Sequence, residues 1–62
     1  MQEYQLRVIK ERHELEDKCT ALHAALNSVK FVIPADDRKL LEMQYNTMMT
    51  YKHMLDLRIE RF

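Results

Sequence analysis

Val29-Lys30-Phe31-Val32-Ile33-Pro34-Ala35-Asp36-Asp37 holds the only proline of a 62-residue chain that has no glycine. Without glycine a backbone has few ways into the left-handed conformations of tight turns, so the change of direction falls on this stretch. Val29, Val32 and Ile33 are β-branched and continue a helix poorly. The segment is expected to turn and to tuck Phe31 and Ile33 over one end of the fold. Beyond it, Pro34 suits the first helical position, and Asp36 and Asp37 place negative charge where a helix dipole favours it.

Outward from this turn the chain is helical on both sides. Residues 2–28 are rich in Glu, Gln, Lys, Arg, Leu and Ala, all good helix formers. Met1, Val8, Leu15, Leu22 and Val29 recur every seven residues before the turn; Leu41, Met48, Leu55 and Phe62 do so after it. Such a repeat keeps one seam facing a partner helix. Folding about the turn pairs Leu22 with Leu41, Leu15 with Met48, Val8 with Leu55 and Met1 with Phe62. The same level sets Glu11 beside Lys52, Cys19 near Gln44 and Tyr51 near Arg12. The fold class is therefore all-α: one domain, residues 1–62, built as an antiparallel hairpin of two helices at about 2–28 and 35–61.

A second stripe on the later helix, Leu40, Met43, Thr47, Thr50, Met54, Leu57 and Arg61, is largely apolar. The matching face of the first helix (Leu6, Ile9, His13, Glu16, Thr20, His23, Asn27) is mostly polar. A hairpin has one internal seam, so a second apolar face calls for another molecule, and a second copy of the chain is the simplest choice. Leu40, Met43, Thr47, Met54 and Leu57 are the expected interface of a homo-oligomeric helical bundle. Size points the same way, since a chain this short buries only about 60% of its unfolded surface.

The single cysteine, Cys19, forms no internal disulfide and on an apolar face reads as a small buried hydrophobe. Ten basic and ten acidic side chains leave a formal charge of zero, against the basic surplus of a duplex-DNA binder. No apolar run approaches a membrane span, and Met1-Gln2-Glu3-Tyr4 lacks the apolar stretch of a signal peptide, so a soluble cytoplasmic protein is expected.

Catalytic chemistry finds no support. His13 and His23 are separated by roughly 15 Å along a helix at 1.5 Å per residue, and no second cysteine completes a zinc site. Ser28 and the threonines lack a spaced His and acid, and no glycine-rich loop cradles a phosphate. Glu11, Glu14, Glu16 and Asp17 alternate with Lys10, Arg12 and Lys18, as on a salt-bridged solvated face. Neither an enzyme nor a cofactor or metal site is expected. What core packing does not need is a set of cations beside an aromatic ring: Arg7, Arg12, Lys30, Tyr51 and Arg58. Guanidinium forks take phosphate and a ring stacks on a base, so together they suit a nucleotide. The plainer alternative is that these arginines pair with Glu11, Glu14 or Glu60.

Tyr4-Gln5-Leu6-Arg7-Val8-Ile9, Glu11, Glu14-Leu15, then Leu41, Gln44, Met48, Tyr51, Leu55, Arg58-Ile59 and Phe62 span nearly the whole chain. They resemble a family of very short helical-hairpin proteins of crAss-like and other tailed phages. That family is grouped with the hairpin domain of the type 2 anti-CBASS and type 1 anti-Thoeris proteins, which are oligomers, hexamers in the studied cases. Those relatives sequester cyclic oligonucleotides or cyclic ADP-ribose isomers and so silence host defence. The resemblance implies a homo-oligomeric sponge in the host cytoplasm that holds a cyclic nucleotide messenger without hydrolysing it. Alignment puts Arg12 where an anti-CBASS relative carries a base-stacking ring. Its phosphate-binding lysine falls near Asn27, with Lys30 the nearest cation; neither residue is matched in kind. The competing reading is a helical protein-interaction module with no small-molecule ligand, docking through the Leu40/Met43/Met54/Leu57 face.

Overall fold

The computed structural model describes residues 1–28 and 32–62. Helix α1 runs Glu3–Leu26 and helix α2 runs Ala35–Glu60. Contacts descend one helix as they ascend the other, from Tyr4 with Phe62 through Arg12 with Asp56 to Leu26 with Arg38, so the hairpin is antiparallel. The described chain measures 44 × 17 × 13 Å, a rod two helices wide.

Local chemistry fixes the helix ends. The Gln2 N–H donates to Gln5 Oε1 (2.9 Å), and the Gln2 carbonyl accepts from the amides of Gln5 and Leu6. Pro34 takes the N-cap of α2, one position earlier than its preference for the first helical turn suggested. Its φ of −54° and ψ of 145° are extended, and its carbonyl accepts the Arg38 amide at 2.8 Å. That placement uses what proline retains, a carbonyl, and asks nothing of the N–H it lacks. At the other end of the turn Arg38 Nη2 donates to the Leu26 carbonyl (2.6 Å), where the negative end of the α1 dipole favours a cation. Ile33 is half-buried, while Val32 is exposed. The expected packing of Phe31, and the heptad member Val29, fall outside the described residues.

The seam follows the heptad. Val8, Leu15 and Leu22 on α1, and Leu41, Met48 and Leu55 on α2, are all buried or half-buried. Each row has a second inward row beside it: Gln5, Arg12, Cys19 and Leu26 on α1, and Arg38, Tyr45, Lys52 and Ile59 on α2. Full burial is confined to Val8, Cys19, Leu26 and Leu55 among the described residues, with Leu55 at 0% exposure.

This second row corrects several expected neighbours. Tyr51 meets Glu11, Lys52 meets Glu16, and Arg12 meets Asp56. Cys19 shares a cleft with Tyr45, whereas Gln44 is exposed. Numbering about the turn gives the level along the rod; the side on which a residue emerges depends on helical phase, which advances about 100° per residue. Met1 is exposed, and Phe62 packs instead on Tyr4, ring centroids 6.0 Å apart and nearly perpendicular. Both termini lie beyond the last helical turn, so the heptad no longer governs them.

The face of α2 carrying Leu40, Met43, Thr47, Met54 and Leu57 lies on the side away from α1. Its four large apolar residues are 42% to 64% exposed. The Thr47 hydroxyl is turned back onto its own helix, donating to the Met43 carbonyl at 3.0 Å.

Leu55 is the test of the seam. Leu55→Ala should cost about 2–5 kcal/mol, enough to leave most of the hairpin unfolded at room temperature in chemical denaturation followed by circular dichroism. Retention of wild-type stability would show that the seam around Val8 and Leu55 is not what holds the helices together.

Candidate functional site

Helical phase divides the polar side chains between two flanks of the rod. On the first, Arg7 and Glu11 of α1 stand alongside Tyr51 and Arg58 of α2. The Tyr51 hydroxyl donates to Glu11 Oε1. Its phenol is held above its usual pKa, chiefly because that hydrogen bond to a carboxylate favours the neutral form, with the positive field of Arg58 opposing. Arg7 pairs loosely with Glu3 at 3.6 Å, with 71% of its side chain exposed. Arg58 makes no ion pair among the described residues. This flank therefore offers two guanidinium groups and a phenol, all solvent-facing, beside the Glu3 and Glu11 carboxylates.

Arg12 belongs to the second flank. Its Nε donates to Asp56 Oδ1 (2.7 Å) and its Nη1 to Glu16 Oε2 (2.5 Å), with 28% of the side chain exposed. Glu16 also meets Lys52 Nζ at 3.7 Å, which closes a four-residue network across the seam. The Asp56 carboxyl is pulled below the usual range, first by the hydrogen bond from Arg12 and then by the attraction of Arg12, Lys52 and His53, against desolvation. The Arg12 guanidinium is raised, mainly by the same hydrogen bond. Arg12 thus staples α1 to α2 and is already neutralised by two carboxylates. Of the five candidate ligand residues, the fold gathers Arg7, Tyr51 and Arg58 on one flank and puts Arg12 on the other. Lys30 lies outside the described residues.

Further along the second flank, two adjoining clefts share His23 and Tyr45. One, of about 220 Å³, is lined by Glu16, Cys19, Thr20, Met49 and Lys52 as well; the other, of about 310 Å³, reaches Leu26, Asn27, Arg38, Glu42 and Asn46. The His23 and Tyr45 rings are 5.5 Å apart at 40°. Sequence reasoning missed this groove, although a signal existed: Arg38, Tyr45, Lys52 and Ile59 recur every seven residues as strictly as the apolar row. Cys19 is buried, as expected of a small hydrophobe. Among the described residues no three His, Cys, Asp or Glu side chains gather as a metal site. Nor is any described helix long and apolar enough to cross a membrane.

With this geometry in place, a family model described as Sequestin matches residues 2–61. The chain belongs to the Sequestin family. No curated protein and no solved structure matches it. The match covers both helices and the turn between them. The name Sequestin denotes sequestration, a binding role rather than a catalytic one.

The ion-pair staple carries a definite pH signature. The folded state holds Asp56 as carboxylate more firmly than the unfolded chain does, so its contribution is present above the ordinary carboxylate pKa. It is lost as the pH falls through the lowered folded-state value. Asp56→Asn should therefore be less stable than the wild type at neutral pH, and the two should converge on acidification. Parallel stability curves down to low pH would show that the network does not couple the helices.

Proposed function

We propose that this Sequestin is a phage immune-evasion protein that binds a cyclic nucleotide messenger in the host cytoplasm and withholds it without hydrolysis. The observation that carries the reading is the Sequestin match over residues 2–61. The ligand class comes from the resemblance to the anti-CBASS and anti-Thoeris sponges, and spans cyclic oligonucleotides and cyclic ADP-ribose isomers. Arg7, Tyr51 and Arg58 supply the phosphate-facing flank. Arg12 joins only where phosphate displaces a carboxylate from it, and Lys30 is included on its charge alone.

The working form is a homo-oligomer, a hexamer by analogy with the sponges. Leu40, Met43, Thr47, Met54 and Leu57 form its interface. Two observations support an apolar partner there: the large hydrophobic side chains of this face are solvent-exposed, and the hairpin's own seam fully buries few side chains. Burying a second face of α2 against another copy adds the core that one hairpin lacks. Pockets between copies would then enclose a ligand that a rod two helices wide does not surround.

Three measurements follow. In a thermal-shift screen against cyclic di- and trinucleotides and cyclic ADP-ribose isomers, a true ligand at a hundred times its Kd should stabilise the protein by about 2.7 kcal/mol. Intact ligand recovered after denaturation would distinguish capture from turnover. Absence of any shift across the panel would sink the sponge reading and leave the protein-interaction module. Arg58→Ala should weaken a cyclic dinucleotide by roughly tenfold or more, the usual worth of one charged hydrogen bond, with assembly intact. Met54→Glu should dissociate the oligomer in light scattering; an unchanged mass would remove the α2 face from the interface.

A further inference from the structure

We infer that α2 packs antiparallel against α2 of a second copy of this chain, about a two-fold axis that passes between Thr47 and Thr50. That the partner is a second copy rests on the oligomeric reading above; the orientation rests on the exposed row itself.

This row is a palindrome. Leu40, Met43, Thr47, Thr50, Met54 and Leu57 step alternately by three and four residues and give the same side-chain types from either end. A two-fold contact is self-complementary: each residue of one copy meets its counterpart on the other, and the reverse. Turned end for end on a second copy, the row sets Leu40 against the partner's Leu57 and Met43 against the partner's Met54. Thr47 then meets the partner's Thr50. Alternating steps of three and four also keep one seam facing a neighbouring helix. The threonines at the centre are small, which lets the two axes approach. Their hydroxyls donate to the Met43 and Asn46 carbonyls at 3.0 Å each, so covering them strands no donor.

Charge chooses the direction. The next member of the row at one end is Asp36 and at the other Arg61. Antiparallel packing brings Asp36 to the partner's Arg61, whereas parallel packing would set each beside its own like charge. The edges of the row agree. Lys39 and Glu60 flank it on one side, Asp37 and Arg58 on the other. Antiparallel helices bring Lys39 to the partner's Glu60 and Arg58 to the partner's Asp37. All six of these charged side chains are exposed. None has an ion-pair partner among the described residues, whereas the outward charges of α1 pair along their own helix, Arg7 with Glu3 and Lys10 with Glu14.

The pairing also adds a wall to the flank of Arg7, Tyr51 and Arg58. Gln44 lies on the same edge of α2 as Tyr51 and Arg58, so the two-fold sets the partner's Gln44 beside Tyr51. Ion pairs at a solvated rim contribute little each. The apolar row therefore holds the copies together, the rim sets their direction, and Arg58 stays open to exchange its carboxylate for an anion.

Charge reversal tests the register. Lys39 and Glu60 lie roughly 30 Å apart along one helix at 1.5 Å per residue, too far to interact within a chain. Lys39→Glu and Glu60→Lys should each weaken assembly of the full-length protein about tenfold at low salt, since each turns two attractive pairs into repulsive ones. Sedimentation equilibrium reads the change, and the double variant should recover the wild-type affinity. Separately, Leu40→Cys co-expressed with Leu57→Cys should form a disulfide-linked pair under mild oxidation, while neither crosslinks to itself; the native Cys19 is buried and does not compete. An assembled wild type with no recovery in the double variant would overturn the antiparallel register and leave the homo-oligomer standing. Leu40→Cys crosslinking to itself would do the same. A monomeric wild type would overturn both, and nucleotide capture is judged separately by the thermal-shift screen.

Discussion

Two helices that touch each other share one seam, and everything in this chain is arranged around how little that seam can bury. The α1–α2 contact fully covers Val8, Cys19, Leu26 and Leu55 and half-covers the rows beside them. At such a width a row of purely aliphatic side chains cannot be shielded along its edges. The inward rows next to the heptad therefore carry amphipathic residues. Arg12, Arg38, Tyr45 and Lys52 bury their stems or rings against the partner helix and put their polar ends at the rim. Polar chemistry is thus part of the packing, because a rod two helices wide has no interior deep enough to exclude it.

That constraint decides where binding chemistry can sit. Cations at the seam edge are drawn into cross-helix pairs and lose their reach toward a ligand, as Arg12 does between Asp56 and Glu16. Cations one step further round, such as Arg7 and Arg58, escape the seam and stay accessible. The two flanks differ as a result. One is rich in accessible guanidinium groups beside the Glu3 and Glu11 carboxylates, and the other is a balanced network that opens into an aromatic groove. A binding role, which the Sequestin family name denotes, draws on polar and aromatic groups of this kind, held in a concave site. The unused apolar side of α2 offers what such surfaces lack by themselves, a wall supplied from elsewhere.

Much of this was legible in the residues. The absence of glycine and the lone Pro34 located the turn, and the heptads gave both helices to within two residues of their ends, the usual latitude of fraying termini. The outward position of Leu40, Met43, Met54 and Leu57 also followed from periodicity alone. The site was less legible. Arg12 and Tyr51 lie at one level along the hairpin, which made them natural neighbours on paper, yet they leave the seam on opposite sides. His23 stood out in the sequence only as one of two histidines too far apart to share a metal, and in the fold its exposed ring rests on Tyr45.

The sequence by itself determined the secondary structure, the point of reversal and the apolar row that faces inward, because these depend on backbone preference and on a repeat carried within each segment. Only the tertiary structure decided which polar groups meet across the hairpin. That choice turns on the rotational phase of α2 against α1, on the reach of long side chains such as Arg12 and Lys52, and on competition among carboxylates for each cation. A difference of one residue rotates a side chain by about 100°. A pairing that is correct along the rod can therefore still be wrong around it, and the candidate sites of this protein are distinguished by their position around the rod.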